Sequence, residues 1–441
     1  MNPVRIGIIG LGTVGAATVE LINTNASQIS ARLGRPVVVT HASVRDPSKP
    51  RDCDLSQIEL VSDPALLVSH PDIDIIVELM GGTDLALELC QQAIANGKHL
   101  VTANKALIAE HGNQLFTAAH QQGVAIGYEA GVAGGIPIIK AIREGLASNS
   151  ITSVAGIING TGNFILSEMR DKGRAFDDVL AEAQQLGYAE ADPTFDVEGI
   201  DAAHKLAILA SIAFGVPLNF DAVYTEGITK LTAEDVNNAE KLGYRIKHLG
   251  IAQRGPEGIT LRVHPTLIPQ SQLIANVHGV MNAVRVESDA VGESLYYGPG
   301  AGGGPTGSAV VADILDIARV IDAKAHQRIP YLAFQPDQLN DLPLLDISAI
   351  ESAYYLRLQA SDQPGVMAQI TKILGDLAIS IEAIEQTEPA PDDTQATIIM
   401  LTHRVAEQSM AKAIKQIEAL STIDGAITMI RVEHFNTRQS S

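Results

Sequence analysis

Three glycines, Gly10, Gly12 and Gly15, fall in the spacing G-x-G-x-x-G directly after the apolar run Ile6 to Ile9. An apolar periodicity through Ala16, Val19, Leu21 and Ile22 follows, so the order is strand, tight turn, helix. That order suits a pyrophosphate. Gly10 permits the sharp turn, Gly12 lets the backbone close on the phosphates, and Gly15 lets the helix lie against the strand. The helix N-terminus then aims free N–H groups at the anion. Gly10, Leu11, Gly12, Thr13, Val14 and Gly15 are therefore the candidate dinucleotide-binding turn. The alternative is a Gly-rich turn of some other α/β fold.

Lys105 is a second candidate. It ends Val101-Thr102-Ala103-Asn104-Lys105, just past an expected strand, on the side where open α/β sheets bind ligands. A third constellation is Gly187-Tyr188-Ala189-Glu190-Ala191-Asp192-Pro193, followed by Asp196, Asp201 and Lys205. Asp201 and Lys205 share one helix face at i, i+4. The segment is strongly apolar after Lys205, so the helix is expected to be buried. A buried lysine among carboxylates is a candidate for proton transfer, whereas His204 faces another direction. A fourth is the Gly-rich stretch Gly127 to Pro137. Its carbonyls can bind an alkali cation through hard oxygen ligands, or it is a plain turn before a helix at Pro137.

The elements that must position these groups are legible along the chain. Strands are expected at Arg5–Ile9, Val37–Ser43, Ile73–Glu78, His99–Thr102 and Val124–Tyr128, with helices between them, including one at Asp84–Asn96 stopped by Gly97. Such alternation predicts an α/β doubly wound parallel sheet over residues 1–140. Residues 141–330 read as an α+β domain with a mixed sheet. A helix runs from Ile200 to Phe214, strands lie at Thr260–Ile268 and Ala283–Glu287, and a Gly-rich run, Gly298 to Ser308, precedes a helix beginning at Ala309. A helix at about 305–330 is expected to pack back onto the first domain. Residues 331–352, with the Pro-, Asp- and Asn-rich stretch from Gln335 to Asp346, read as a linker.

Residues 353–434 read as βαββαβ. Tyr354, Leu356, Leu358 and Ala360 alternate with Tyr355, Arg357 and Gln359, the pattern of a half-buried strand. Asp362-Gln363-Pro364-Gly365 is a turn, and Val366, Ile370, Ile373, Leu374 and Leu377 repeat at helical spacing. Strands follow at Ile379–Gln386 and Ala396–Thr402, then a helix with Met410, Ile414, Ile417 and Leu420 on one face, then a strand at Ala426–Val432.

With 441 residues, 46% of them hydrophobic, the chain implies two or three domains. Its formal charge of −20 excludes nucleic acid and anionic membrane surfaces as partners. Two cysteines, Cys53 and Cys90, without metal-ligand spacing, imply a reducing compartment and no disulfide framework. With no signal-peptide pattern and no stretch of about 20 apolar residues, the expected location is cytoplasmic.

Residues 353–434 resemble an ACT domain, on Asp362-x-Pro364-Gly365-Val366 followed by Ile379-Ser380-Ile381-Glu382. That resemblance implies a small amino-acid effector at Asp362, Gln363, Pro364, Gly365 and Val366, or else a pairing module without a ligand. The whole chain resembles homoserine dehydrogenases of the monofunctional, ACT-containing type. The resemblance rests on Gly10–Gly15, Thr102-Ala103-Asn104-Lys105, Asn159-Gly160-Thr161-Gly162-Asn163-Phe164-Ile165-Leu166, Gly187–Pro193, and Gly199-Ile200-Asp201-Ala202-Ala203-His204-Lys205. No aspartate-kinase region precedes the nucleotide-binding part, so the bifunctional form is not expected.

What the resemblance implies is a Rossmann-type nucleotide domain and NAD(P)-dependent interconversion of L-aspartate 4-semialdehyde and L-homoserine, on the route to threonine, isoleucine and methionine. Lys205 would exchange the proton with the carbonyl oxygen and Asp201 would be its partner. Lys105 would stand beside substrate and nicotinamide. Glu190 would take the substrate ammonium, and Asp196 and Gly187 would also belong to the substrate site. Thr102, Ala103, Lys105, Gly187 and Gly303 would touch the coenzyme. The carbonyls of Glu129, Val132, Gly134 and Ile136 would hold sodium or potassium. L-threonine would be the effector, and the assembly a homodimer or homotetramer. A lysine has an ordinary pKa near 10, so it suits proton donation and makes oxidation favour alkaline pH.

The strand Val37–Ser43 runs on into Val44-Arg45-Asp46-Pro47. Arg45 fits a 2′-phosphate and Asp46 fits the ribose of NAD. The expectation is NADP, with NAD as the alternative. A dehydrogenase of the phosphoglycerate type would need a catalytic histidine with an acid partner, and no such motif occurs. An aspartate-semialdehyde dehydrogenase needs a nucleophilic cysteine. Cys90 falls mid-helix on a core face and Cys53 in a polar loop. A catalytically inactive nucleotide- and amino-acid-binding sensor is the other reading, but it has no chemical need for Lys105 and Lys205.

Overall fold

The computed structural model describes residues 2–324, 327–386 and 394–435. They form two compact units. One comprises 1–160, 203–221 and 281–342, the other 161–202, 222–280 and 343–441.

The first unit begins with a six-stranded parallel sheet. Its strands are β1 (Val4–Ile9), β2 (Val37–Ser43), β3 (Glu59–Val61), β4 (Ile75–Glu78), β5 (His99–Thr102) and β6 (Ile126–Gly127), in the order β3-β2-β1-β4-β5-β6. β1 pairs in parallel with both β2 and β4, so the winding reverses there and leaves a crevice at the strand ends. The helices are α1 (Thr13–Thr24), α2 (Ala26–Leu33), α3 (Ala65–Val68), α4 (Asp84–Ala95) and α5 (Lys105–Gln122). The expected strand Val124–Tyr128 shortens to two residues, because Tyr128 already turns into a 3-10 segment at Glu129–Gly131. A short helix, α6 (Ile138–Lys140), follows that turn. Cys90 is buried in α4 as expected, and Cys53 lies in the expected loop, where it packs partly buried against the nucleotide-domain core.

The same unit holds an antiparallel ladder in which β11 (Met281–Ser288) pairs with β7 (Ile151–Ile157) and β12 (Gly292–Pro299). A long helix, α12 (Gly303–Arg319), ends this region. It starts six residues before the expected Ala309, inside the Gly-rich run. The reason is contact with α1: a Cβ on Gly303 would meet Thr13 Cγ2 at 3.1 Å, and one on Gly307 would meet the Thr18 N at 3.3 Å. Val310, Ile314 and Ile317 of α12 join Ile6, Ile8, Val19 and Ile22 in one core.

In the second unit β9 (Tyr244–Arg254) and β10 (Ile259–Pro269) form an antiparallel pair over eleven residues each. The helices α7 (Gly160–Lys172), α8 (Phe176–Gln185), α9 (Thr194–Val197) and α11 (Ala233–Lys241) belong here. The helix α10 (Ile200–Phe214) begins in this unit and passes into the first after Ala202. Strand β8 (Tyr224–Thr225) pairs with β10. So does β13 (Leu344–Leu345), inside the stretch expected to run as a linker.

The C-terminal βαββαβ comprises β14 (Glu351–Ser361), α13 (Val366–Asp376), β15 (Ile381–Gln386), β16 (Gln395–Thr402), α14 (Glu407–Glu418) and β18 (Ile423–Val432), with a short β17 (Val405–Ala406) against β14. Its sheet does not stand alone. β18 pairs in parallel with β10, Thr266 opposite Arg431, so the order runs β9-β10-β18-β14-β16-β15. This changes the reading of β14. Over its first half it is buried on both faces: Tyr354 and Leu356 pack on α13 and α14, while Tyr355 packs with Ile165, Val236 and Ile246. Arg357 reaches Asp235 at 2.5 Å and 3.0 Å.

Arg431 sits buried at the joint. Its guanidinium donates to Glu407 at 3.0 Å and 2.5 Å and to Glu226 at 2.8 Å. The Tyr354 hydroxyl donates to the same Glu407 at 2.7 Å.

Candidate functional site

The crevice between β1 and β4 is a cleft of about 910 Å³. Gly10, Leu11, Gly12 and Thr13 form its floor, and Met80 and Gly81, just past β4, form a wall. Gly10 has φ +101°, and a Cβ there would stand 2.8 Å from the Leu79 carbonyl oxygen. Gly15 is stricter, since its Cβ would stand 2.2 Å from the Gly10 carbonyl oxygen. Gly12 differs from both. It caps α1 in an extended conformation, and a Cβ there meets nothing within 4 Å. That open space over a helix N-terminus fits a dinucleotide pyrophosphate. Gly303 also lines the cleft while packing on Thr13.

The rest of the cleft is charged, with Arg45, Lys49 and Arg51 lining it together with Glu20, Asp46 and Asp52. Arg51 donates to the Lys49 and Asp46 carbonyls at 2.7 Å and 2.8 Å, which shapes the loop. Asp46 also lines the cleft, but its carboxylate accepts from the Ser48 hydroxyl at 2.6 Å and the Ser48 N–H at 2.9 Å. The Ser48 bonds hold its carboxyl below the usual range. Lys49 and Arg51 were missed in the sequence because they lie past Pro47 in a stretch without periodicity.

Val14 and Gly15 lie in α1, whereas Thr102, Ala103 and Lys105 stand two strands from β1, at the end of β5. Asn104 caps α5 by accepting from the Leu107 N–H at 3.1 Å, which makes Lys105 the first residue of the helix. Lys205, one turn into α10, donates from Nζ to the Ile158 carbonyl at 2.7 Å, just past β7. His204 is buried, as a core histidine would be. Its Nε2 lies 3.0 Å from Glu110 Oε1, and its ring stacks on Phe220 at 4.1 Å.

In the second unit Asp201 is buried in the first turn of α10 and Asp196 is part-exposed on α9. Glu190 is exposed. Its segment is held to α7 by the Thr161 hydroxyl, which donates to the Tyr188 carbonyl at 2.6 Å, and by Phe164 edge-on to Tyr188. Gly187, at φ +75°, ends α8. Its visible structural task is that C-terminal turn.

In the turn from Glu129 to Ile136, Ala133 and Gly134 have φ of +53° and +46°. The Glu129 carbonyl accepts from Val132 N–H at 3.3 Å, and the Ile136 carbonyl from Ile138 N–H at 2.7 Å. The buried Glu129 carboxylate caps α6, accepting from Ile139 and Lys140 N–H at 2.8 Å each, and burial pushes its pKa up to about 7. Among the described residues no group of three or more His, Cys, Asp or Glu could hold a metal ion. A cation here would therefore rest on carbonyls. Nor is any helix among the described residues long and apolar enough to cross a membrane.

A cavity of about 490 Å³ is lined by Ser361, Asp362, Gln363, Pro364, Gly365, Val366 and Met367, with Gln386, Ala396 and Ile398 opposite. Gly365, at φ +93°, caps α13, so the helix N-terminus borders the cavity.

Comparison with known proteins agrees with this geometry. Residues 10–129 match the family description "Homoserine dehydrogenase, NAD binding domain", residues 137–315 match "Homoserine dehydrogenase", and residues 354–422 match "ACT domain". A homoserine dehydrogenase of Pseudomonas aeruginosa is 59% identical over 436 residues, 99% of this chain and 100% of that protein. The crystal structure of a homoserine dehydrogenase from Thiobacillus denitrificans superposes with a TM-score of 0.93 at 58% identity, covering 98% of both chains. A hyperthermophilic archaeal homoserine dehydrogenase solved in complex with NADPH matches with a TM-score of 0.62 at 28% identity, covering 74% of this chain and 100% of that one. The chain belongs to the homoserine dehydrogenase family and is an NAD(P)-dependent oxidoreductase.

The open space at Gly12 gives a test that separates folding from binding. Gly12→Val is expected to leave the unfolding temperature of the coenzyme-free protein unchanged. Coenzyme affinity should fall by about 3 kcal/mol, roughly 100-fold, in a fluorescence titration with NADPH.

Proposed function

We propose that this member of the homoserine dehydrogenase family interconverts L-aspartate 4-semialdehyde and L-homoserine through Lys205, with NADP as its preferred coenzyme and L-threonine as its feedback effector. When bound, the nicotinamide exchanges the hydride with the substrate carbon. The protein must then orient the aldehyde and move one proton. Lys205 gives that proton to the carbonyl oxygen in reduction and takes it back in oxidation. The observation that carries this reading is the aim of Lys205. The main-chain carbonyl of Ile158 fixes its Nζ at 2.7 Å on a largely buried helix, so the ammonium is oriented without being neutralised by that acceptor. Asp201, four residues earlier on the same helix, is its carboxylate partner.

Lys105 stands beside the substrate and the nicotinamide. Glu190 takes the substrate ammonium, while Asp196 and Gly187 complete the substrate contacts. Thr102, Ala103, Gly187 and Gly303 contact the coenzyme. The carbonyls of Glu129, Val132, Gly134 and Ile136 hold a sodium or potassium ion that stiffens their turn. The chain assembles as a homodimer or homotetramer.

The preference for NADP is supported by Arg45, Lys49 and Arg51, three cations among the carboxylates that line the cleft, and by Asp46, whose Oδ1 is already taken by Ser48. The NADPH bound by the archaeal relative is consistent with this. The effector reading is supported by the cavity at Asp362 to Val366. There the N-terminus of α13 offers N–H groups to a carboxylate and Asp362 offers a partner for an ammonium.

Lys205→Ala is expected to lower the turnover of L-homoserine oxidation, followed at 340 nm, by about 10²–10⁴ with NADPH affinity unchanged. Wild-type oxidation should rise from pH 7 to pH 10, because Lys205 must first lose a proton to act as base. A flat profile would remove Lys205 as the titrating base. Arg45→Ala should raise the KM for NADP and leave that for NAD unchanged. L-Threonine should inhibit the wild type and lose that effect in Asp362→Ala. No inhibition by any of threonine, isoleucine or methionine would leave the C-terminal module as a structural one.

A further inference from the structure

Glu78, the last residue of β4, is fully buried and belongs to none of the groups given a role so far. A carboxylate there is costly unless donors surround it. It has two. Oε2 accepts from the Thr102 hydroxyl at 2.6 Å and Oε1 accepts from the Met80 N–H at 2.8 Å. The Thr102 oxygen in turn accepts from the Asn104 N–H at 3.0 Å. Asn104 donates from its side-chain amide to the Gly82 carbonyl at 2.8 Å and caps α5 through Leu107.

These bonds form one chain from Glu78 through Thr102 to Asn104. A threonine hydroxyl has a single proton. With that proton committed to Glu78, its oxygen is left to receive the Asn104 N–H. Asn104 is the cap of α5, and Lys105 is the first residue of that helix. The backbone that carries Lys105 is therefore set by the Glu78 carboxylate. The other carboxylate oxygen holds Met80, which lines the coenzyme cleft. A single buried acid thus ties the cleft wall to the helix that bears the lysine. Burial pushes its pKa up to about 7, and the two donors pull against that rise.

We propose that Glu78 is a positioning residue for the reaction, acting through Thr102 and Asn104 to hold Lys105 in place against substrate and coenzyme. This rests on the reading of Lys105 as the lysine beside the substrate. A glutamine at 78 can accept one of the two hydrogen bonds with its carbonyl, but its amide nitrogen cannot accept the other.

The test is a double-mutant cycle on the full-length enzyme, with L-homoserine and NADP as substrates. Glu78→Gln should raise the KM for homoserine and lower kcat, together costing roughly tenfold or more in kcat/KM. NADPH affinity in the same protein should change less. Thr102→Val should reproduce the loss and Thr102→Ser should restore activity, because only the hydroxyl is needed. The decisive result is non-additivity. At saturating NADP, Glu78→Gln in a Lys105→Ala background should cost nothing further in kcat/KM for homoserine.

Kinetics of Glu78→Gln and Thr102→Val within twofold of wild type would overturn the proposal, and so would losses that multiply in the double variant. A Glu78→Gln protein that fails to fold leaves the cycle to Thr102→Val with Lys105→Ala, read at saturating NADP so that the proposed contact of Thr102 with the coenzyme does not enter, and decisive by the same rule. If Lys105→Ala alone keeps full activity, the reading of Lys105 fails and the proposal falls with it. If Lys105→Ala is impaired while Glu78→Gln is not, only the proposal fails.

Discussion

A pyrophosphate can be held by main-chain N–H groups only where no side chain stands between them and the anion. In this chain the constraint is met by displacing bulk from three points at once. Gly15 lets α1 rise beneath the Gly10 carbonyl, where a Cβ would sit at 2.2 Å. Gly10 turns the chain at a positive φ against Leu79. Gly12 leaves the space above the helix end empty. The sheet order places this turn where the winding reverses between β1 and β4, so the cleft has two walls. The demand reaches much further along the chain. Helix α12 covers α1 only because Gly303 and Gly307 let it come close to Thr13 and Thr18. A Gly-rich run that looks like a loop is thus the first part of a helix. Its composition answers to close packing, not to flexibility.

That helix shows where sequence reading stops. The nucleotide fold was legible because alternating strands and helices leave local periodicities, and because G-x-G-x-x-G has a steric meaning at each glycine. The β5 end and its Lys105 followed from the same pattern. Long-range pairing leaves no such trace. The alternation in β14 predicted one wet face, yet Tyr354 and Tyr355 are both buried because α13 and α14 cover one side and a second core covers the other. Nothing near Leu344 or Arg431 in sequence announces that both β13 and β18 will lie along β10. The basic loop at Lys49 and Arg51 was equally silent, since its order comes from hydrogen bonds to carbonyls and not from side-chain pattern. Glu78 reads in sequence as the polar end of an apolar strand. Its importance lies in a partner 24 residues away.

The joint between the C-terminal module and β10 is charged where an apolar seam would also close it. Arg431 is buried against Glu407 and the part-exposed Glu226, and the half-buried Arg357 meets the buried Asp235. Buried ion pairs of this kind contribute little net stability over apolar substitutes, but removing one partner costs about 3–5 kcal/mol. They also tolerate few alternatives. A strand slipped by one residue against β10 would turn Arg431 to the opposite face and leave both glutamates without it. The network therefore specifies register at the one place where two sheets, each able to pair elsewhere, become continuous.

That continuity limits how an effector can act on the chemistry. A ligand shifts an equilibrium only by its difference in affinity between two states. The cavity at Ser361 to Val366 lies at one end of β14, and the other end pairs with β18 around Arg431. Arg431 holds the Glu226 side chain, and the Glu226 carbonyl lies 2.9 Å from His248 Nε2. His248 in turn lies against Gly199, between Asp196 and Asp201, where a Cβ would sit 3.2 Å from its ring. Every link is a short hydrogen bond, a paired strand or a close contact. For the proposed effector, the position of the segment bearing Asp196 and Asp201 would be the variable such a path could move, and by linkage a substrate coupled to it would bias that cavity to the same degree.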